Sequence, residues 1–375
     1  MNPQIVKNSV IEDNGEYRFT LKDIHRSLAN GIRRIILSEI PAVVFSTENY
    51  EDANCKIEIN TGRLHNEILR QRLGCIPIYE KVPMKEGETD RLSGKYILEV
   101  DVKNETDNIM FVTTEHFKIK NKATEHYLTD EDTRSIFPMN QMTQSYIVFA
   151  RLRPKLSDSI PGEHLKLTCD FSVSNAKADS RYNVVSKCAF QNTIDKVAAD
   201  AAWEKHEEKL RADETPNEEI AFQKRNFELL DAQRYFTENS FDFVVQTIGV
   251  YENVEIVKMA CIVLQHKFVD FIQAIDADTV PITVSETTMD NCFDITLENE
   301  DYTMGEILSY LIYETNFVKN KIITFCGFKK YHPHDSHSVL RVAFINETSK
   351  MEVRQCVRSA CVDAQTIYKM LYVMF

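Results

Sequence analysis

One segment constrains the fold of this chain more than any other. Residues 241–275 are predicted to form a strand, a turn and a long helix whose apolar side chains recur every three or four residues and therefore share one face. Burying six side chains of this kind contributes roughly 9–18 kcal/mol before conformational entropy is subtracted. Such a face requires another apolar element to cover it. Its residues are Val257, Cys261, Leu264, Phe268, Phe271 and Ile275.

A second apolar helix is predicted within SLANGIRRIILSEIP, residues 27–41. At ~100° per residue, Arg33 lies at the margin of the apolar face, and Arg34 lies roughly opposite it, beside Asn30. Pro41 ends the helix, because the residue before a proline disfavours helical backbone angles. The apolar face consists of Ile24, Leu28, Ile32, Ile35 and Ile36, with Ala29 and Ile40 at its edge.

The last 85 residues repeat the order of the outer parts of the first region. They are predicted as a strand (CFDITLEN), a helix (TMGEILSYLIYET), two strands and a closing helix through Val353, Val357, Cys361, Ala364, Tyr368 and Leu371. Setting SLANGIRRIIL beside TMGEILSYLIY aligns Leu28 with Met304, Ala29 with Gly305, Ile32 with Leu308 and Ile36 with Ile312. The sequence therefore predicts an α+β fold of two related half-modules, the first of which is split by an insertion.

The insertion, from about Val43 to Leu167, consists of short alternating runs that predict strands. RLHNEILRQRL is predicted as a short helix with Gly74 as its C-terminal cap. Two strands flank a polar turn at Lys103–Asn108, and residues 120–137 are predicted as a polar, mobile loop. Residues 190–235 are highly charged and predict a solvated helix pair broken near Pro216. The stretch Asp276–Asn291 is the best candidate for a linker.

Composition limits the classes of function. The formal net charge of −13 argues against a dominant nucleic-acid surface, and no apolar run approaches the ~18 residues that span a bilayer. The nine cysteines are scattered and lie mostly in apolar contexts, which is typical of reduced, buried thiols in an intracellular protein.

The sequence contains few candidates for catalytic or metal-binding motifs. His332, His334 and His337, with Cys326 a few residues before them, supply atoms that zinc accepts, but their spacing matches no closed four-ligand pattern. The sequence contains no phosphate-binding glycine loop, G-x-S-x-G elbow or His-Glu-x-x-His motif. We therefore expect no catalytic residues, no metal and no cofactor. The alternative is a stand-alone metal-dependent enzyme that modifies nucleic acids with the histidine loop.

The carboxylate pairs are weak candidates for two-metal chemistry. Asp130 with Asp132, and Asp276 with Asp278, lie in polar sequence without flanking strand hydrophobics. We interpret them as solvated loop acids.

The remaining motifs are interaction motifs. SLANGIRRIILSEIP followed by NEILRQRLGCIPI resembles the two signature stretches of the alpha-like subunits of multisubunit RNA polymerases, namely bacterial alpha, archaeal D and the eukaryotic third-largest subunit. FDFVVQTIGVYENVEIVKMACIVLQ is similar to the final dimerisation helix of that family. ENEDYTMGEILSYLIYE with GFKKYHPHDSHSVLRVAFIN resembles the small partner subunit, archaeal L or its eukaryotic counterpart. Both partners in one polypeptide resemble the fused subunit of some large cytoplasmic DNA viruses.

The resemblance implies two alpha-subunit-type dimerisation modules paired in one chain. The alpha-like module would comprise residues 1–44 and 168–278, with the charged helices 190–235 as an excursion. Residues 45–167 would form an inserted, mostly β domain, 279–290 a linker and 291–375 the module of the small partner. A linker of about 15 residues holds its ends roughly 20 Å apart and makes dimerisation intramolecular, at ~mM effective concentration.

The implied function is non-catalytic assembly of DNA-dependent RNA polymerase. The platform would nucleate assembly of the largest and second-largest subunits and contact other small subunits, would meet DNA only indirectly through the complex, and would not touch a membrane. Its location would be the host cytoplasm or virus factory, and the virion, for a viral protein, or the nucleus for a cellular one.

The resemblance also implies roles for individual residues. Arg33 and Arg34 would face the second-largest subunit, so that their partners lie on another polypeptide. The full large-subunit interface would be Asn30, Arg33, Arg34, Glu39, Arg72 and Gly74. The dimerisation seam would be Leu28, Ile32, Ile35, Ile36, Cys261, Leu264, Phe268, Phe271, Met304, Leu308, Ile312, Val357, Ala364 and Leu371.

Three departures from the family pattern matter. Glu306 and Ser309 stand where the small partner usually has Asn and Arg, so the second module is expected to lack the arginine contact. Asn183 and Val184 replace the usual Ser-Pro ending of their stretch. Some members carry a cysteine-ligated zinc or iron–sulfur site in the inserted domain, but residues 76–168 contain no cysteine, and we expect no such site.

Overall fold

The computed structural model of the chain describes residues 2–47, 54–84, 87–157 and 159–375. The strands are β1 (Gln4–Ile5), β2 (Ile11–Asp13), β3 (Glu16–Lys22), β4 (Ala42–Val44), β5 (Cys55–Asn60), β6 (Tyr96–Lys103), β7 (Met110–Thr113), β8 (Lys118–Asn121), β9 (Val148–Leu152), β10 (His164–Asp170), β11 (Ser172–Ser174), β12 (Val185–Ile194), β13 (Phe236–Thr247), β14 (Ile282–Val284), β15 (Cys292–Glu298), β16 (Ile323–Lys329) and β17 (His337–Phe344). The α-helices are α1 (Arg26–Ser38), α2 (Asn66–Gly74), α3 (Asp130–Ile136), α4 (Lys196–Ala212), α5 (Asn217–Leu229), α6 (Asn253–Asp276), α7 (Tyr302–Ile312) and α8 (Lys350–Met374).

The chain divides into two compact units and has a mixed α+β fold. The first unit contains the residues up to Ile35, Lys187–Gln246 and Ala260–Phe375. The second contains Ile36–Ser186 and Thr247–Met259. No helix within the described residues is long and apolar enough to cross a membrane.

The first unit holds two sheets that share one strand order. In one sheet β3 pairs with β13, which pairs with β12; in the other β15 pairs with β17, which pairs with β16. The pairings of β3 with β13 and of β15 with β17 are antiparallel. An α-helix follows β3 and β15, and a long helix follows β13 and β17. The rings of Phe19 and Phe243, directly opposite in the register, stack 5.0 Å apart and fill the core of the first sheet.

The second unit is built on a four-stranded sheet of order β5-β10-β6-β8, with two-stranded sheets β4–β11 and β7–β9 beside it. Helices α2 and α3 pack on this unit through Leu69, Leu73 and Ile136, which are buried. The core also includes Phe45, Phe149 and other buried strand residues.

The two apolar helices predicted from periodicity are confirmed. Helix α1 ends at Ser38, three residues before Pro41, and its stripe of isoleucines is buried together with Leu28. Helix α6 runs for 24 residues. The charged helix pair is also confirmed as α4 and α5, with Pro216 as the residue that caps α5.

The prediction of Gly74 as the C-terminal cap of α2 is wrong, because Cys75 is the capping residue. Gly74 is the last residue of α2 and has no positive φ, and Cys75 after it has a helical φ of −87°. The physical need for glycine is space, because a Cβ there would lie 2.9 Å from Nη1 of Arg181 and 3.1 Å from Oγ1 of Thr47.

Two other segments are more ordered than predicted. The expected loop at 120–137 contains α3, whose first turn is capped by the Thr129 hydroxyl accepting from the Asp132 backbone N–H, and Ile136 and Phe137 are buried. The expected linker contains β14, which pairs with β15 so that Ile282 lies opposite Ile295. This strand forms because apolar residues alternate in VPITV, residues 280–284, and Val280 and Ile282 are both buried.

The strands that flank Lys103–Asn108 are present as β6 and β7, but they join different sheets. Strand β6 pairs with β10 and β8, whereas β7 pairs with β9. The side chain of Asn104, fully buried, holds the connection by donating to the carbonyls of Asn108 and Leu152.

Close packing at Gly305 yields a test of the fold. A Cβ at this position would overlap the Phe328 ring at Cε2, so we expect Gly305→Ala to lower the free energy of unfolding by about 1–3 kcal/mol through overpacking. Urea denaturation followed by circular dichroism measures it. Gly62→Ala is the control, because its nearest atom is a side-chain oxygen of Asn60 at 3.3 Å. Equal midpoints for both variants would contradict this packing.

Candidate interaction site

Helix α1 lies in close contact with α7 and α8 inside the first unit. The Tyr368 hydroxyl donates a hydrogen bond to the backbone carbonyl of Leu28 at 3.1 Å, and both groups are buried. Burial raises the pKa of Tyr368 well above its ordinary value, so the hydroxyl remains a donor. A Cβ on Gly31 would lie 2.8 Å from Cδ1 of Ile307 and 2.9 Å from the Tyr368 oxygen. Glycine at position 31 therefore allows the three helices to approach this closely.

The residues predicted as a dimerisation seam are almost all buried. Phe271 is half-buried, and the others have at most 2% of their surface exposed. The rings of Phe268 in α6 and Tyr368 in α8 lie nearly parallel, 6.2 Å apart. Ile36 belongs to the second unit. The buried members are Leu28, Ile32, Ile35, Ile36, Cys261, Leu264, Phe268, Met304, Leu308, Ile312, Val357, Ala364 and Leu371.

Polar contacts surround this apolar region. Lys267 of α6 and Glu300 before α7 form an ion pair at 2.9 Å with both side chains less than a fifth exposed. Arg358 of α8 donates to Asp276 at the end of α6 at 2.9 Å, and this hydrogen bond lowers the pKa of the Asp276 carboxyl. Each of these contacts joins two different elements, and together they fix how those elements are oriented against each other in the apolar core.

His25, which immediately precedes α1, makes a further contact with Tyr310 of α7. Their rings stack 3.6 Å apart with an interplanar angle of 2°. Burial, assisted by the charge of Arg26, lowers the pKa of His25 to about 4, so the imidazole is neutral at pH 7. The contact is therefore one of two uncharged rings.

Arg34 has a partner within this chain, and its predicted contact with a large subunit stays a prediction. Its Nη2 lies 2.6 Å from Oδ2 of Asp301, and its Nε donates to Oγ1 of Thr303 at 2.7 Å. Asp301 is the N-cap of α7 and accepts from the backbone N–H of Thr303. Arg34 thus binds the start of α7 inside this chain. The Asp-x-Thr capping pattern at 301–303 is the sequence signal that indicates the helix start, but it does not reveal the arginine.

Arg33 has a different environment from Arg34. Its Nε donates to Oδ1 of Asn30 at 2.9 Å, and both side chains are half-buried. Burial raises the pKa of the Cys188 thiol to about 12, and the positive charge of Arg33 partly opposes this rise. Asn30 and Arg33 therefore form a polar pair on the margin of α1.

The other predicted interface residues make contacts within the second unit. Glu39 pairs with Lys177 at 3.3 Å. Arg72 donates to the carbonyls of Phe149 and Val148 at 2.7 and 2.6 Å, which ties α2 to β9. Gly74, as described above, lies against Arg181. These contacts help to hold the second unit together. The sequence alone did not predict them.

The histidine loop lies between β16 and β17. The backbone N–H of His334 donates to Nδ1 of His332 at 3.1 Å, and the backbone N–H of His332 donates to Asp335 at 2.9 Å. Across the described ranges, no group of three or more His, Cys, Asp or Glu side chains is placed to hold a metal ion.

Comparison with known proteins gives one family. Residues 18–268 match the profile of the RNA polymerase Rpb3/Rpb11 dimerisation domain. A conjugation stage-specific protein of Tetrahymena thermophila is 29% identical over 182 residues, which cover 46% of this chain and 54% of that protein. Subunit 3 of DNA-directed RNA polymerases II, IV and V of Arabidopsis thaliana is 34% identical over 61 residues, 16% of this chain and 17% of the plant protein. The matches span about half of the Tetrahymena protein and about a sixth of the plant subunit.

The contrast between the two arginines can be measured as stability. Arg34→Ala removes a charged hydrogen-bonded contact that is about two-thirds buried, and we expect it to lower the free energy of unfolding by about 1–3 kcal/mol. Arg33→Ala removes a half-buried hydrogen bond between neighbouring turns of one helix and should change the free energy of unfolding by less than about 0.5 kcal/mol. Urea unfolding of the full chain gives both values.

A double-mutant cycle with Asp301→Asn tests whether the stability lost in Arg34→Ala comes from the contact between these two side chains. We expect the effects of Arg34→Ala and Asp301→Asn to be non-additive, because the two side chains contact each other. Additive effects would show that the pair contributes nothing measurable.

Proposed function

This chain belongs to the family of the RNA polymerase Rpb3/Rpb11 dimerisation domain, and we propose that it is a non-catalytic assembly subunit of a DNA-directed RNA polymerase. In this proposal, two half-modules of one polypeptide take the places of the two partners of a dimer. The paired platform then nucleates assembly of the two large catalytic subunits.

The repeated strand order is the observation that carries the proposal. The first half-module is β3, α1, β12, β13 and α6, and the second is β15, α7, β16, β17 and α8. In each, the first strand along the chain pairs with the third, and the third pairs with the second. Two elements of equal topology that bury their helices together are what a fused dimer requires.

The two half-modules differ at polar positions of their first helices, which supports different roles for α1 and α7. Aligning the two helices places Glu306 at the position of Asn30 and Ser309 at that of Arg33. Glu306 is exposed, and Ser309 lies beside the thiol of Cys326. We infer that α1, and not α7, presents the Asn–Arg pair to a large subunit, whereas Arg34 joins the two half-modules.

Co-purification tests the partner. Full-length chain is co-expressed with the two large subunits, and we expect Arg33→Ala to reduce their recovery at least tenfold while leaving the urea midpoint unchanged. Arg225→Ala is the matched control, because Arg225 is an exposed arginine on α5. Full recovery of the large subunits with Arg33→Ala would refute the assigned contact. Activity and bound metal in the isolated chain would instead favour the nucleic-acid-modifying alternative.

Cleavage between the half-modules tests the intramolecular pairing. A protease site inserted after Glu286, which is exposed, would be cut in the native chain. We expect the two fragments to co-elute on size exclusion, because the buried contacts of α1 with α7 and α8 persist, and to separate only in denaturant. Fragments that separate in native buffer would show that the halves do not form a stable pair. The intact chain carrying the inserted site is the control.

A further inference from the structure

The second unit contains a groove along β9. It has a volume of about 600 Å³. Phe149, Ala150 and Leu152 lie in its lining and are at most 5% exposed, which makes an apolar floor. Ile109 and Val148 stand at its mouth with 59% and 40% of their surface exposed. We call this feature the β9 groove. Its volume is within the range of about 300–1,000 Å³ that is typical of ligand-binding clefts.

Four arginines line the β9 groove, in a chain whose net charge is −13. Two of them serve the fold: Arg72 binds backbone carbonyls, and Arg153 pairs with Glu163. Glu163 is the acidic residue of the lining, and it is 6% exposed. The positive charge of the groove is therefore not balanced at its surface by acidic lining residues.

The other two arginines are available to a ligand. Arg151 is exposed, with its guanidinium 5.2 Å from the centre of the Phe111 ring. Arg63 is exposed and makes no hydrogen bond or ion pair with any residue that the structure describes. A guanidinium that stacks on an aromatic ring keeps its N–H donors at its edge, where a carboxylate can bind in a bidentate manner.

We propose that the β9 groove binds a short segment of a partner protein in which acidic residues alternate with apolar ones. The apolar side chains enter the groove, and the carboxylates bind Arg63 and Arg151. Apolar surface and arginine are both more frequent at protein interfaces than on the rest of a protein surface. A single-stranded nucleic acid fits less well, because its bases stack on open aromatic faces, and Phe149, the aromatic residue of the groove lining, is buried.

Selection from a displayed library of random twelve-residue peptides tests the proposal with the full-length chain. We expect the enriched peptides to contain both acidic and apolar residues. Fluorescence anisotropy then gives their affinity for variants. The double variant Arg63→Glu with Arg151→Glu should weaken binding at least tenfold, whereas Arg225→Glu on α5 should not change it. An unchanged urea midpoint of the double variant shows that the loss is local.

Three results would overturn the proposal. The library fails to enrich any peptide, the enriched peptides lack acidic residues, or the double variant binds them as well as the parent chain. Binding of a 20-nucleotide single-stranded RNA that is lost in the double variant, without peptide binding, would assign the groove to nucleic acid instead. The proposal does not depend on the large subunits, so failure of the co-purification experiment would leave it standing.

Discussion

The close approach of α1 to α7 and α8 is the constraint on which the first unit depends. A buried hydroxyl without a partner costs about 1–3 kcal/mol, and the backbone carbonyl of Leu28 satisfies that of Tyr368. That hydrogen bond is possible only because Gly31 leaves room for the Tyr368 oxygen and for Ile307. One missing side chain therefore lets three helices share a core, and Arg34 fixes the start of α7 against α1.

The two sheets of the first unit share one strand order but differ in the segments that connect their strands. Between its second and third strands the first carries α4 and α5, where the second carries the histidine loop. After its first helix, the first continues into the second unit, whereas the second continues into a π-helix at Tyr313–Lys319. The strand order is the same in both sheets despite these different connections, because connecting segments tolerate insertion better than strands do. The two first helices also differ in sequence, since Glu306 and Ser309 align with Asn30 and Arg33.

Periodicity predicted the long elements well and the short ones poorly. Helices α1 and α6 are long, and their apolar residues repeat often enough to exclude a strand. Helix α3 has seven residues and β14 has three, so neither offers enough repeats to distinguish it from a loop. At Gly74 the residue type indicated a special position correctly, but the reason was the neighbouring side chain of Arg181 and not the backbone angle.

The sequence by itself determined the α+β class, the apolar faces of α1 and α6 and the resemblance between the two halves, because these depend on residue spacing along the chain. Only the tertiary structure decided where the arginines go. Arg33 and Arg34 are adjacent and chemically identical, yet one binds Asn30 in its own helix and the other binds Asp301, 267 residues away. A guanidinium reaches whichever acceptor the fold brings within hydrogen-bonding distance, and for Arg34 that acceptor is brought there by packing between segments far apart in the chain.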